Sequence, residues 1–176
     1  MKTERKRRHI LLTGKPGCGK TTIIKRVIQD RRDVAGFYTA EIKEGSRRTG
    51  FAIHTIDGKE GILASVDIDS PIRVGRYFVN LKDIGEIAIP SVEKAIKDPS
   101  VRFVVIDEIA SMEMSSPRFS QAVIQALNSE KRVIGTIQDK RNPFLDEIRA
   151  RNDVTVIRVE LAKRESILEL LEGLLK

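Results

Sequence analysis

The chain has 176 residues, close to one ordinary domain, and 40% of them are hydrophobic, enough to bury a core. No apolar run nears the roughly 18 residues that span a bilayer, no apolar stretch follows the basic start as in a secretion signal, and one cysteine excludes an internal disulfide, so a cytoplasmic setting is expected. The net charge of +7 is partly local: Lys2, Arg5, Lys6, Arg7 and Arg8 against Glu4 form a basic arm over residues 1–8, expected to be a solvated terminus, with nucleic-acid phosphates as the alternative partner.

His9 to Thr13 reads as a short apolar strand. Lys20 to about Arg31 follows as a helix with apolar pairs one turn apart. Next come strand formers from Gly36 to Lys43, a turn at Glu44-Gly45-Ser46, and a strand from Thr49 to Ile56. Asp57-Gly58 is a hairpin signal, with Gly61 to Val66 as the partner strand. An antiparallel meander is therefore predicted after the first strand–helix unit, which excludes a purely parallel sheet. Asp67 to Gly75 reads as loop, and Tyr77 to Val79 as a short strand. Pro90 to Lys97 reads as a helix with Pro90 in its first turn. Val101 to Ile106 is a nearly continuous apolar run, as in a strand buried on both faces. A helix from Pro117 to Asn128, a strand from Arg132 to Gln138 and a helix from Pro143 to Arg151 follow. A strand from Val154 to Val159 and a helix from Arg164 to Leu175 complete the chain. The alternation predicts a single domain over 9–176, a three-layer α/β fold with a central mixed, mostly parallel sheet. Ligands of such sheets sit at the carboxyl ends of the central strands.

Between the first strand and helix lies Gly14-Lys15-Pro16-Gly17-Cys18-Gly19-Lys20-Thr21, which fits G-x-x-x-x-G-K-[ST], the phosphate-binding P-loop. Its glycines let backbone N–H groups turn in around phosphate oxygens, and the helix N-terminus adds unsatisfied donors. Lys20 is placed to neutralise β- and γ-phosphates, and the Thr21 hydroxyl to ligate Mg²⁺. Thr22 follows in the first turn. Lys15 and Cys18 occupy variable positions of the motif, and no histidine is placed to activate the thiol.

The buried strand ends in Asp107-Glu108. Asp107 fits the acid that holds Mg²⁺ in P-loop enzymes, usually through a water (the Walker B position). Glu108, directly after it, fits a group that orients and activates water, because water is a poor nucleophile at neutral pH. Glu113 is the nearest rival acid. Thr136 and Gln138 are both candidates for sensing the γ-phosphate. Arg47, Arg48, Lys140 and Arg141 are loop cations that could stabilise charge. His9 and His54 have no ligand spacing, so no zinc site is expected.

With these residues in view, the chain resembles the small nucleoside-triphosphatases first recognised in thermophilic prokaryotes, whose human relative is called cancer-related nucleoside-triphosphatase. The resemblance rests on four stretches: the P-loop; Gly36-Phe37-Tyr38-Thr39-Ala40-Glu41-Ile42 continuing to Arg48-Thr49-Gly50-Phe51; Ile106-Asp107-Glu108-Ile109 with Met112-Glu113; and Asn142-Pro143-Phe144. It implies a RecA-like P-loop fold and Mg²⁺-dependent hydrolysis of several nucleoside triphosphates with little base selectivity. It also implies that Gly14 to Thr21 bind the phosphates and that Val101, Arg102, Phe103, Val104, Val105, Ile106, Asp107 and Glu108 form the second nucleotide-binding segment. Ala110-Ser111 departs from the family's usual Gly-Pro and bears on how Glu113 is presented. A nucleoside or nucleotide kinase and a nucleotide-dependent RNA-binding module are the competing readings. A monomer is expected.

Overall fold

The computed structural model describes residues 8–176. Nine strands form one sheet: β1 His9–Thr13, β2 Val34–Glu44, β3 Arg47–Thr55, β4 Glu60–Ser65, β5 Arg73–Val74, β6 Tyr77–Val79, β7 Phe103–Ile109, β8 Arg132–Ile137 and β9 Val154–Arg158. The helices are α1 Lys20–Ile28, α2 Leu81–Asp83, α3 Ile89–Lys97, α4 Pro117–Asn128, α5 Pro143–Ala150 and α6 Arg164–Leu174.

The strand order is β5-β6-β4-β3-β2-β7-β8-β1-β9. From β2 to β9 every pairing is parallel, and from β2 outward to β5 every pairing is antiparallel. β2 therefore belongs to both halves. Its first residues, Val34 to Phe37, pair with Phe103 to Ile106, and its remainder runs on past that contact as one arm of a long hairpin with β3. The Asp57-Gly58 signal holds: β3 and β4 flank it as an antiparallel pair.

Both faces of the parallel half are covered, and the sequence alternates accordingly. Leu11, Val104, Ile106 and Val133 meet α3, α4 and α5 on one side. Ile10, Leu12, Phe103, Val105 and Ile134 meet α1 and α6 on the other. Burying one such side chain contributes about 1.5–3 kcal/mol, so the two cores outweigh any surface ion pair in holding the sheet.

Two elements differ from expectation. The Asp67 to Gly75 stretch contains β5, which is too short to leave a periodic pattern. The helix predicted from Pro90 is α3, with Pro90 in its first turn, but helical chain already begins before it, at Leu81, where the Asn80 side chain accepts from the Asp83 N–H. A π-helical turn over Ile84–Ala88 joins α2 to α3, and the Ile89 N–H donates to the Ile84 carbonyl. The wider turn accommodates Pro90, which lacks an N–H and would crowd the carbonyl four residues back in a regular helix.

The arm assigned to residues 1–8 lies outside the described residues except for Arg8. That residue is anchored: its backbone N–H donates to Asp153 O at 2.9 Å, and its guanidinium donates to the carbonyls of Ser129 and Lys131. No helix among the described residues is long and apolar enough to cross a membrane.

Candidate active site

The P-loop connects the carboxyl end of β1 to the amino end of α1. Gly14, Gly17 and Gly19 have φ of 144°, 77° and 96°, conformations that side chains resist, so the glycines are required by the path of the loop. Lys15, Pro16 and Gly17 are exposed at its tip, Cys18 is buried beneath it, and Thr22 is exposed in the first turn of α1. Lys20 curls back over the loop, and its Nζ donates to the carbonyls of Gly14 at 2.9 Å and Lys15 at 3.0 Å.

Asp107 and Glu108 sit within β7, which runs three residues further than its apolar stretch predicts. Asp107 is buried, and its Oδ1 accepts from the Thr136 hydroxyl at 2.5 Å. Burial raises its pKa. The Thr136 and Thr21 hydroxyls, Lys20 and the Thr39 backbone N–H act the other way. Its second oxygen, Oδ2, has no hydrogen-bond partner. A buried carboxylate oxygen left open beside the Thr21 hydroxyl suits a cation that takes few protein ligands. Among the described residues no three His, Cys, Asp or Glu side chains gather as a cage. Mg²⁺ fits both facts, since it keeps several waters and shares its remaining positions with phosphates.

Glu108 is half-buried, and its pKa is raised to about 7 by burial and by the neighbouring Asp107 charge, with Lys20 opposing. Glu113 opens a short 3₁₀ turn after β7 and is buried, with Oε2 unpaired. Burial, then the Glu108 charge, holds its pKa well above the usual carboxylate value.

The two sensor candidates are both engaged. Thr136 is spent on Asp107. Gln138 Oε1 accepts from the Ser111 N–H at 3.1 Å and the Ser111 hydroxyl at 2.8 Å. Ser111 therefore does what a proline in its place could not: it donates its backbone N–H and pins the loop that delivers Glu113. Arg149, which carried no signal in the sequence, donates to the carbonyls of Gln138 and Lys140 and holds the next loop.

Two glycines bring these groups together. Gly36 in β2 pairs with Val105, and Gly135 in β8 pairs with Ile106. A methyl group on Gly36 would lie 2.1 Å from the Val105 carbonyl oxygen, and one on Gly135 1.9 Å from that of Ile106. β7 is thus gripped from both sides immediately before its acids, close enough for Thr39 and Thr136 to act on Asp107.

The segment from Val101 to Glu108 does not reach the loop as a whole. Val101 precedes β7. Arg102 stands at the amino end of the sheet, roughly 16 Å of strand from Asp107. There it shares the Phe103 ring with Arg31 and Arg132. Phe103, Val104, Val105 and Ile106 are core. Of the loop cations, Arg48 is held by Glu41 at 2.6 Å and by the Tyr77 hydroxyl at 2.9 Å, while Arg47, Lys140 and Arg141 are exposed.

A family model described as NTPase matches residues 9–171. The chain is 45% identical to a nucleoside-triphosphatase THEP1 from Thermotoga maritima, over 95% of each chain. It is 39% identical to the human cancer-related nucleoside-triphosphatase, over 92% of this chain and 93% of that one. Among solved structures, the crystal structure of THEP1 from the hyperthermophile Aquifex aeolicus gives a TM-score of 0.84 at 36% identity, covering 96% of this chain and 99% of that one. The solution structure of the human cancer-related nucleoside triphosphatase gives 0.81 at 37% identity, over 96% and 97%.

Proposed function

The chain belongs to the NTPase family and is a nucleoside-triphosphatase; from that premise we propose that it removes the terminal phosphoryl group of Mg²⁺-bound ATP, GTP and other nucleoside triphosphates with little choice of base. The observation that carries the mechanism is the pair of unlike acids at the end of β7, Asp107 tied to Thr136 and Glu108 beside it with a pKa near 7.

In this reading the P-loop N–H groups bind the β-phosphate, and Lys20 leaves its carbonyl partners to neutralise the β- and γ-phosphates. Thr21 and Asp107 would hold Mg²⁺, which, when bound, neutralises charge on the β- and γ-oxygens. Glu108 accepts the proton of the attacking water as the new O–P bond forms and the β–γ bridge breaks, the leaving oxygen departing with the diphosphate. A base with a pKa near the working pH suits that task. Glu113, buried on the short turn beyond β7, serves as a wall behind Glu108.

Glu108→Gln tests the assignment. It should bind nucleotide about as tightly as the parent and hydrolyse it at least about a hundredfold more slowly, as loss of a general base does. Glu113→Gln, which keeps the size and hydrogen bonding of the side chain, should stay within about tenfold. The reverse ranking would move the base to Glu113. Phosphate release that rises only with added nucleoside, or only with RNA, would favour transfer to an acceptor or a nucleic-acid-driven cycle.

A further inference from the structure

The proposed chemistry fixes one end of the nucleotide, and the sheet order then fixes the other. The γ-phosphate must face Glu108 on β7. β8 lies between β7 and β1, and β9 lies on the far side of β1. A triphosphate that crosses the P-loop with its γ-end toward β7 carries its nucleoside toward the β9 edge.

The chain at that edge lies flush with the loop. The Val159 N–H donates to Thr13 O at 2.8 Å, and a methyl group on Gly14 would lie 2.7 Å from the Val159 carbonyl oxygen. A 3₁₀ turn over Leu161–Lys163 then leads into α6, whose first residue is Arg164. Arg164 reaches back over the last glycine of the loop: a methyl group on Gly19 would lie 2.8 Å from its Cδ and 2.9 Å from its Nη1. The next residue, Glu165, pairs with Arg26 at 3.0 Å and ties the start of α6 to α1.

This stretch carries three cations. Arg158 is held by both oxygens of Asp139, at 2.8 and 3.0 Å, and Lys163 by Glu160 at 3.0 Å. Among the described residues Arg164 has no carboxylate within ion-pair distance, although it is exposed and lies against Gly19 of the loop.

We propose that Arg164 is a nucleoside-contacting residue, its guanidinium plane packing on the face of the base of a bound nucleoside triphosphate. Every base has such a face, and a guanidinium stacks on aromatic faces without reading their edges. The contact therefore adds affinity without selecting a base. This inference rests on the hydrolase reading above and adds to it the residue that grips the substrate at the end away from the chemistry.

The test compares Arg164→Ala and Arg164→Lys with the parent. Steady-state kinetics on Mg²⁺ salts of ATP, GTP, CTP and UTP are joined by the Kd of a non-hydrolysable ATP analogue and the inhibition constant of inorganic tripolyphosphate, which has no base. Arg164→Ala should raise KM by about tenfold for all four nucleotides while kcat changes less than about threefold. The analogue's Kd should rise in proportion, and the tripolyphosphate constant should stay within about twofold. Lysine, which keeps the charge and loses the plane, should not restore KM. Unchanged KM and Kd would overturn the proposal. So would tripolyphosphate weakening in parallel with rescue by lysine, which would make Arg164 a phosphate-binding charge, or a fall in kcat at constant KM. A parent that hydrolyses no nucleotide would sink the hydrolase reading itself, and the analogue's Kd would still decide whether Arg164 contacts a nucleoside.

Discussion

Lys20 holds two carbonyls of its own loop, and a bound triphosphate competes with them for the same ammonium. Truncating the side chain removes the cation without disturbing the glycine path, because those contacts are made by Nζ alone. Lys20→Ala should therefore keep the parental melting temperature within a few degrees. It should lose at least about a hundredfold in kcat/KM, roughly 2.7 kcal/mol of transition-state stabilisation. Malachite-green phosphate release and a thermal melt check the two halves. Turnover at the parental rate would remove the P-loop from the mechanism. At this scale the motif and the Asp107-Glu108 pair were legible, because each is a local run of residue types with one chemistry. The partners of those residues were not. Thr136 meets Asp107, and Ser111 meets Gln138, only through the register of β7 against β8, which no local pattern states.

Strands and helices were legible where their periods were long. The two-face burial of β7 was written in its apolar run, and the β3–β4 hairpin in Asp57-Gly58. The π turn was hidden because Pro90 reads as a helix start wherever it stands. The role of Gly36 and Gly135 was open to reading, since a glycine inside a strand pattern marks a close backbone approach, but which strand approaches is a matter of topology. Both positions yield a prediction about the element they grip. Gly36→Ala adds a methyl 2.1 Å from a carbonyl oxygen at a φ of 120°, so overpacking and backbone strain act together. A loss of about 3 kcal/mol or more is expected, about 6–12 °C in Tm for a chain of this size. Gly135→Ala, with the clash and without the positive φ, should lose less. Differential scanning calorimetry ranks the two, and a parental Tm in either would mean that β7 is not gripped as described.

The whole molecule has two ends. At the amino end of the parallel strands, buried His9 accepts the Val133 N–H on Nδ1 at 3.0 Å, with its Nε2 3.8 Å from Asp153. Burial, then the Asp153, Arg8 and Arg151 charges, leave its pKa at about 4, with only Asp153 among those charges raising it. The folded protein thus resists a proton that the unfolded chain accepts below about pH 6.5. Stability from this source is complete above pH 6.5 and falls by about 3 kcal/mol as pH drops toward 4. His9→Asn retains an acceptor and cannot titrate, so urea titrations should show a shallower slope across that window, by about one proton. Equal slopes in parent and variant would exclude His9. At the other end lie the P-loop, the acids and the tip of the β2–β3 hairpin at Gly45-Ser46. The β3–β4 turn at Asp57-Gly58 lies with His9, since Thr55 pairs with Phe37 near the start of β2. β3 thus has an exposed turn at each end, one above the catalytic loops and one on the opposite pole. A short epitope or dye-labelled peptide grafted at Asp57-Gly58 should act as a silent handle, compatible with immobilising working enzyme. The same graft at Gly45-Ser46 should report nucleotide arrival or obstruct it.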